Sequence, residues 1–412
     1  MTSTSDRGLS FGTDPRPAPR ARVGVFGIGL EAYWPQFAGL RERCEGYQRR
    51  VEEKVEELGA EVVSAGLVDT AQKARAAGER FKREDVDLVL CHAVTYATSS
   101  QVLPAVQEAG VPCLLLALQP VKALDYENTD TAEWLANCSA CCVPELAGAF
   151  TRSRVPYDTV TGTIDDDERA WSQIAAWVRA AGVARALRRA RIGFLGHTYP
   201  GMLDLYTDFT MVHAQLGAHV EVLEIEDLGV RVDAATDEEV AAKRAEIEAM
   251  FDFADPSADP IAGPIEDESM DFSARVAVGL DRLCADFELD GLTYYYRGLN
   301  ENEAERLGAG VIVGNSLLTA RGIPTSGEGD LKTNVAQLIL DRLGAGGSYT
   351  EYYALDFAED FILMGHDGPG HIAIAEGRPT LRALKLYHGK RGFGLSVEFK
   401  VRYGPVTILG CT

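Results

Sequence analysis

One loop of the sequence places a carboxylate between two glycines. In PTSGEGDLKTN, residues 324–334, Glu328 is followed by Asp330 and Lys332, just before an apolar run that predicts a helix. A carboxylate held in this way could bind a metal ion or move a proton. The simpler interpretation is that Asp330 caps the helix and Glu328 is a solvated loop residue attracted to the helix N-terminus.

The segments that follow carry more groups that could bind a cation, including three of the seven histidines. These residues are Glu351, Asp356, His366, Asp367, His371 and His388. Two of their segments, YTEYYALDF and DFILMGHDG, predict a hairpin with a four-residue loop, residues 357–360. This register places Glu351 opposite His366, with Cβ atoms about 5 Å apart, so the two side chains could share one ion.

The same register tests the other residues of the hairpin. It pairs Asp356 with Phe361 and makes one apolar face, facing the core, in which Leu355 lies opposite Ile362 and Tyr353 opposite Met364. Asp356 then points to the opposite face, whereas a three-residue loop would put it on the face of His366 but several residues away. Glu351 is therefore the stronger candidate ligand.

Two carboxylates and an imidazole suit Mn²⁺, with Mg²⁺ or Co²⁺ as alternatives, because hard oxygen ligands with one or two nitrogens select this class of ion. No thiolate lies nearby in the sequence to favour zinc.

The combination of GEGDLKT, TEYYALDF and LMGH resembles the sugar isomerases of the L-arabinose and L-fucose isomerase superfamily. Arabinose isomerases have a Gly-Glu-Gly-Asp-aromatic-Lys-Thr motif, then a Met-Glu-Asp-Tyr segment and a Leu-Gly-small-His segment. The resemblance implies that Glu328 and Glu351 are metal ligands and proton shuttles and that His366 is the imidazole ligand. It also implies aldose–ketose interconversion through an enediol, in a homo-oligomer with sites between subunits.

The resemblance extends upstream to GLEAYWPQF, which is similar to a family loop that reaches into a neighbouring subunit's site. Glu31, Tyr33 and Trp34 are therefore expected to bind substrate near another subunit's metal. Asp330 and Lys332 could hold sugar hydroxyls, or could serve only to start the helix.

The sequence departs from the family at its end. Family members continue and supply a further metal-binding histidine, whereas this chain stops at Thr412 without a His-His pair. We expect a C-terminally shortened chain in which Asp356, His371 or His388 is a possible additional ligand.

Short apolar strands alternate with helical segments from Arg22 onward, which indicates parallel βαβ units. The pattern restarts at RIGFLG and continues through HVEVLEI, DGLTYYYRG and GVIVGN; beyond Gly347 the period changes to two. The sequence predicts an α/β protein of two doubly wound Rossmann-like domains and a small antiparallel β-domain, a partial barrel. The expected divisions are a disordered leader (1–21), two α/β domains (22–165 and 166–345) and an apparently incomplete β-domain (346–412).

The first glycine turn has a spacing that also occurs in dinucleotide-binding proteins, through Gly27, Gly29 and Ala32. Such a turn needs a helix to begin at once and a carboxylate at the end of the second strand. Tyr33, Trp34 and Pro35 intervene, and EVVSAG ends without a carboxylate, so nicotinamide binding is disfavoured.

Composition limits the other possibilities. A net charge of −22 without a basic stripe disfavours nucleic acid as a partner, and no apolar stretch approaches the roughly 20 residues of a membrane span. Without an apolar leader, a cytoplasmic protein is expected.

The eight cysteines are expected to be mainly buried free thiols, and the CxxC pair Cys138 and Cys141 is a weak metal or redox signal. The competing function is a non-catalytic sugar-binding or regulatory protein, since such proteins also join two Rossmann-like domains.

Overall fold

The computed structural model describes residues 20–296, 302–384 and 395–412, and the backbone of residues 386–387 and 390–391. The chain is divided into two compact units, one of residues 19–185 and the other of residues 186–412. The predicted leader lies almost wholly outside the described residues, and so does His388. The three predicted domain boundaries stay a prediction.

The unit of residues 19–185 contains a parallel sheet covered by helices on both faces. Its strands are β1 (Arg22–Ile28), β2 (Glu61–Val68), β3 (Leu88–His92), β4 (Cys113–Gln119) and β5 (Tyr157–Thr163). They lie in the order β2-β1-β3-β4-β5. Along β1, Val23 and Val25 belong to one apolar core and Phe26 and Ile28 to another, as expected for a strand buried on both faces.

Six helices connect these strands or follow them. They are α1 (Leu40–Glu57), α2 (Ala71–Arg83), α3 (Leu103–Ala109), α4 (Thr131–Ala136), α5 (Val143–Arg152) and α6 (Glu168–Arg189). After the glycine turn of β1 comes one short 3-10 turn, Glu31–Tyr33, and the first α-helix begins only at Leu40. Between α4 and α5, Cys138 and Cys141 form a disulfide, so the expectation of free thiols was wrong for this pair.

The unit of residues 186–412 has a second parallel sheet. The strands of this unit, up to the last helix, are β6 (Arg191–Gly196), β7 (His219–Leu223), β8 (Asp252–Phe253), β9 (Gly291–Tyr295) and β10 (Thr325–Ser326). The order in this sheet is β10-β9-β6-β7, and β8 belongs to a smaller sheet. The helices are α7 (Phe209–Leu216), α8 (Ile225–Asp233), α9 (Asp237–Met250), α10 (Asp267–Asp286), α11 (Glu303–Ala320) and α12 (Leu331–Arg342).

One segment that the sequence pattern placed among the strands is helical. GVIVGN, residues 310–315, lies inside α11 and is buried on every side. Periodicity cannot separate a buried helix from a buried strand in so short an apolar run.

The last part of the chain forms short strands: β11 (Glu351–Asp356), β12 (Phe361–Gly365), β13 (Thr380–Arg382), β14 (Leu386–Tyr387), β15 (Lys390–Arg391) and β16 (Ser396–Glu398). The predicted fold class, α/β with Rossmann-like parallel sheets flanked by helices and followed by a small antiparallel β-part, is confirmed. The partial barrel was wrong in the described part, because the strands separate into β11-β12, β16-β13-β8 and β14-β15. In the same part of the chain, Ile372–Ile374 form a 3-10 turn, and residues 406–410 are not in a strand.

Across the described residues, no helix combines the length and the apolar character that a membrane span needs.

Candidate metal centre

The GEGDLKT loop holds Glu328 in an unusual backbone conformation. Its φ is +63° and that of Gly329 is +66°, both in the left-handed region. A Cβ on Gly329 would lie 2.5 Å from the carbonyl oxygen of His197, so only glycine fits there. The Tyr199 N–H donates to the Glu328 carbonyl at 2.8 Å, and the Gly329 N–H donates to the Tyr294 carbonyl at 3.0 Å. These bonds maintain a conformation that is costly for glutamate, and such strain is concentrated at functional sites.

The structure brings together Glu328, Glu351 and His366. One carboxylate or imidazole atom from each lies within 4.8 Å of the others, and Glu351 is the most exposed of the three. Ligands on one cation with bonds of about 2.1 Å are separated by about 3 to 4.2 Å, so closure onto an ion needs only a small contraction. Two oxygens and one nitrogen are the donor set expected for Mn²⁺, Mg²⁺ or Co²⁺.

A β-bulge changes how Glu351 and His366 meet. The two hairpin pairs nearest the turn are as predicted, but the register shifts between Tyr352 and Ala354, so Glu351 lies opposite Gly365. The predicted direct pairing of Glu351 with His366 was therefore wrong. The two side chains still converge, since His366 directly follows Gly365 and a bulge redirects the strand that contains it.

The predicted apolar face of the hairpin was also wrong. Tyr353, Leu355 and Ile362 are exposed instead of facing a core, and Tyr352, Phe361 and Leu363 are exposed as well. The hairpin pairs with no further strand in the described residues. Its alternating pattern therefore gives two exposed faces and not one buried face.

Tyr349, which sequence reasoning missed, lies against two of these three side chains. Its hydroxyl donates to Glu328 Oε2 at 3.2 Å, and its ring meets the His366 ring edge-on with centroids 4.4 Å apart. Burial, and next the charge of Glu328, raise the pKa of Tyr349 well above its usual value, so the hydroxyl is a donor at neutral pH. One signal was available, because side chains two residues apart in extended chain point the same way and Tyr349 precedes Glu351 by two.

Asp330 and Lys332 have structural partners, as the simpler interpretation of the loop proposed. Asp330 is the N-cap of α12 and accepts hydrogen bonds from the Thr333 N–H at 2.9 Å and its hydroxyl at 2.6 Å. The Lys332 ammonium donates to the Asp204 carbonyl and lies 3.5 Å from the carboxylate of that residue. Their role in binding a sugar stays a prediction.

Two of the possible additional ligands, Asp356 and His371, are not part of the three-residue cluster, and His388 lies outside the described residues. Asp356 accepts from the N–H groups of Ala358 and Glu359, each at 2.9 Å, and so stabilises the hairpin turn. His371 is buried and is not part of the three-residue cluster. Burial lowers its pKa to about 4.

The loop after β1 contains the three residues expected to bind substrate. Tyr33 and Trp34 are half-buried, and Glu31 is exposed. The Trp34 indole donates to Asp69 at 2.9 Å, and Lys73 donates to the same carboxylate at 2.6 Å. Asp69 directly follows β2, so the statement that the second strand ends without a carboxylate was wrong. Burial is the largest single effect on the Asp69 carboxyl and raises its pKa. The hydrogen bonds from Lys73 and Trp34 oppose it, and the pKa is lowered from its usual value.

Comparisons with known proteins agree with the GEGDLKT resemblance. Residues 207–346 match the model of the L-arabinose isomerase central domain. The L-arabinose isomerase of Nocardioides sp. (strain ATCC BAA-499 / JS614) is 28% identical over 322 residues, which are 77% of this chain and 62% of the relative. That of Clavibacter sepedonicus is 28% identical over 321 residues, 76% of this chain and 62% of the relative. The chain thus spans less than two thirds of the length of these relatives.

Among solved structures, an ABC transporter periplasmic solute binding protein from Actinobacillus succinogenes 130z with bound D-allose is similar over 80% of this chain and 93% of its own. The identity is 12% and the TM-score 0.21, which is too low to bear on fold or function.

Proposed function

Since the sequence matches confirm the predicted relationship to the L-arabinose isomerase superfamily, we propose that this chain is a metal-dependent isomerase that interconverts an aldose and a ketose. Its cofactor is Mn²⁺, with Mg²⁺ or Co²⁺ as alternatives, held by Glu328, Glu351 and His366. The observation that supports this most directly is the convergence of these three ligand atoms to within 4.8 Å, from segments separate in sequence.

The reaction moves hydrogen between two neighbouring carbons of the open-chain sugar. The C2–H bond breaks and its proton passes to a carboxylate while the carbonyl oxygen O1 gains a proton, which leaves an enediol. The carboxylate then returns its proton to C1 while O2 loses its hydroxyl proton and becomes the carbonyl oxygen, so that the proton lost by O2 balances the one gained by O1. The cation, when bound, polarises the two sugar oxygens. Glu351 is exposed and therefore accessible to substrate, so it is the better placed proton carrier. Glu328, half-buried and hydrogen-bonded to Tyr349, is better placed as a fixed ligand.

A pair of variants on the hairpin tests the ligand set. Glu351→Gln should weaken Mn²⁺ binding by at least about 100-fold, because a charged ligand matters more than the outer-shell partners that contribute about 10–100-fold. Asp356→Asn is the matched control: it changes one carboxylate on the same strand, outside the cluster, and should leave the affinity unchanged. Calorimetric titration of the chelator-treated proteins measures both. The reverse order of effects would show that Asp356, not Glu351, is the ligand.

Metal content and activity together separate this function from the alternative, a non-catalytic sugar-binding protein. The isomerase should contain stoichiometric metal, lose aldose–ketose conversion in a chelator, and regain it with Mn²⁺. Tight sugar binding that persists without metal, and without conversion, would favour the alternative.

We also propose a homo-oligomer. The hairpin exposes more large apolar side chains than a monomer usually shows in one place; they are Tyr352, Tyr353, Leu355, Phe357, Phe361, Ile362 and Leu363. Light scattering at micromolar concentration should give a multiple of the chain mass, and Phe361→Asp should reduce it. A monomeric mass for the active wild-type protein would contradict this proposal. That Glu31, Tyr33 and Trp34 bind substrate near another subunit's metal stays a prediction from the resemblance.

A further inference from the structure

Tyr349 is the side chain that connects two of the proposed ligands. The 3.2 Å hydrogen bond from its hydroxyl reaches Glu328, and its ring lies against the imidazole of His366. The side chain is 5% exposed, and the Gly327 backbone lies beside both the Tyr349 and the His366 rings. Its position is therefore fixed by packing and does not depend on a bound ion.

A glutamate side chain has three rotatable bonds, and an ion that binds it must select one arrangement. The hydroxyl of Tyr349 restricts the Glu328 carboxylate to orientations in which Oε2 accepts its hydrogen bond. The edge-on ring contact restricts the plane of the His366 imidazole in the same way. Two of the three donors are thus oriented before a cation arrives, and pre-orientation of this kind increases affinity.

We propose that Tyr349 is a positioning residue of the metal centre, which orients Glu328 through its hydroxyl and His366 through its ring. This inference rests on the proposed metal-dependent function. Outer-shell groups that orient metal ligands contribute about 10–100-fold to affinity, and the hydroxyl is expected to act at the lower end of this range because it touches only one ligand.

The test uses variants that separate the hydroxyl from the ring. Tyr349→Phe keeps the ring and should weaken Mn²⁺ binding by about tenfold in calorimetric titration, whereas Tyr349→Leu removes both contacts and should weaken it further, toward about 100-fold. Tyr352→Phe is the matched control, since Tyr352 is 63% exposed and only three residues away. It should bind as the wild type does.

A second readout reports ligand geometry. The visible absorption of the Co²⁺-loaded protein depends on the arrangement of the ligands, so Tyr349→Phe should change it and Tyr352→Phe should not. Should Tyr349→Phe fail to fold in near-ultraviolet circular dichroism, Tyr349→His is compared with Tyr349→Leu. The histidine retains a ring with an N–H donor and should recover part of the affinity.

The outcomes distinguish this inference from the function on which it rests. If the wild type binds metal and Glu351→Gln does not, while Tyr349→Phe matches the wild type in affinity and absorption, Tyr349 has no positioning role and the metal site stands. If the wild type itself binds no divalent cation, the proposed function is wrong, and the role of Tyr349 with it.

Discussion

Replacing Glu328 by glycine is expected to abolish Mn²⁺ binding and yet give a more stable metal-free protein than replacing it by alanine. Both variants lose the carboxylate and the hydrogen bond from Tyr349, so they differ mainly in backbone preference. At φ +63°, a residue with a Cβ is strained by about 1–2 kcal/mol, and glycine is not. The greater freedom of glycine in the unfolded chain offsets part of this, which leaves glycine ahead by about 1 kcal/mol.

Thermal and urea unfolding in a chelator, followed by Mn²⁺ titration of the same samples, measure both effects. Glu288 provides a matched control, because it is also a glutamate in the left-handed region, at φ +53°, and lies outside the cluster. Glu288→Gly and Glu288→Ala should show the same order of stability and normal metal binding. Retained metal affinity in Glu328→Gly would remove Glu328 from the site. Equal stability of the two Glu328 variants would mean that the loop relaxes its φ when the carboxylate is absent.

Much of the fold could be predicted because the signals are local. Short apolar runs such as those of β1 and β3 alternate with amphipathic segments, and this pattern suffices for parallel βαβ units. The GVIVGN segment shows the limit, since complete burial removes the polar face that distinguishes a helix from a strand.

The candidate site was predictable as a set of residues but not as a geometry. Glu328 was identified by its flanking glycines. The structure explains why one of them must be glycine, because a side chain on Gly329 would collide with the His197 carbonyl. The convergence of Glu351 and His366 was expected, but from a direct pairing that the bulge replaces. A bulge has no clear signal in YTEYYALDF, because no glycine or proline marks it. Tyr349 was missed because a tyrosine next to a strand resembles an ordinary core residue.

Stability should fall as the pH is lowered from 6.5 because of one buried histidine, His92. It is fully buried at the end of β3, with Nδ1 3.1 Å from Gln48 Oε1 and Nε2 3.2 Å from the Leu118 carbonyl oxygen. Burial lowers its pKa from 6.5 to about 4, and the hydrogen bond to Leu118 opposes this only in part. Above pH 6.5 neither the folded nor the unfolded state binds this proton. Between pH 6.5 and about 4 the unfolded state binds it and the folded state does not, so stability decreases in that window.

The expected loss is about 1.4 kcal/mol per pH unit, or about 2 kcal/mol between pH 6.5 and pH 5. His92 is the only histidine in residues 19–185, and all four tryptophans lie in the same range, so tryptophan fluorescence during urea unfolding reports on that unit. His92→Gln is the control: it should be less stable at pH 7 but lose less stability on acidification, and the difference between the two pH slopes isolates His92 from the carboxylates. Parallel slopes would mean that His92 already binds a proton in the folded protein, and that the polar contacts of its ring outweigh its burial.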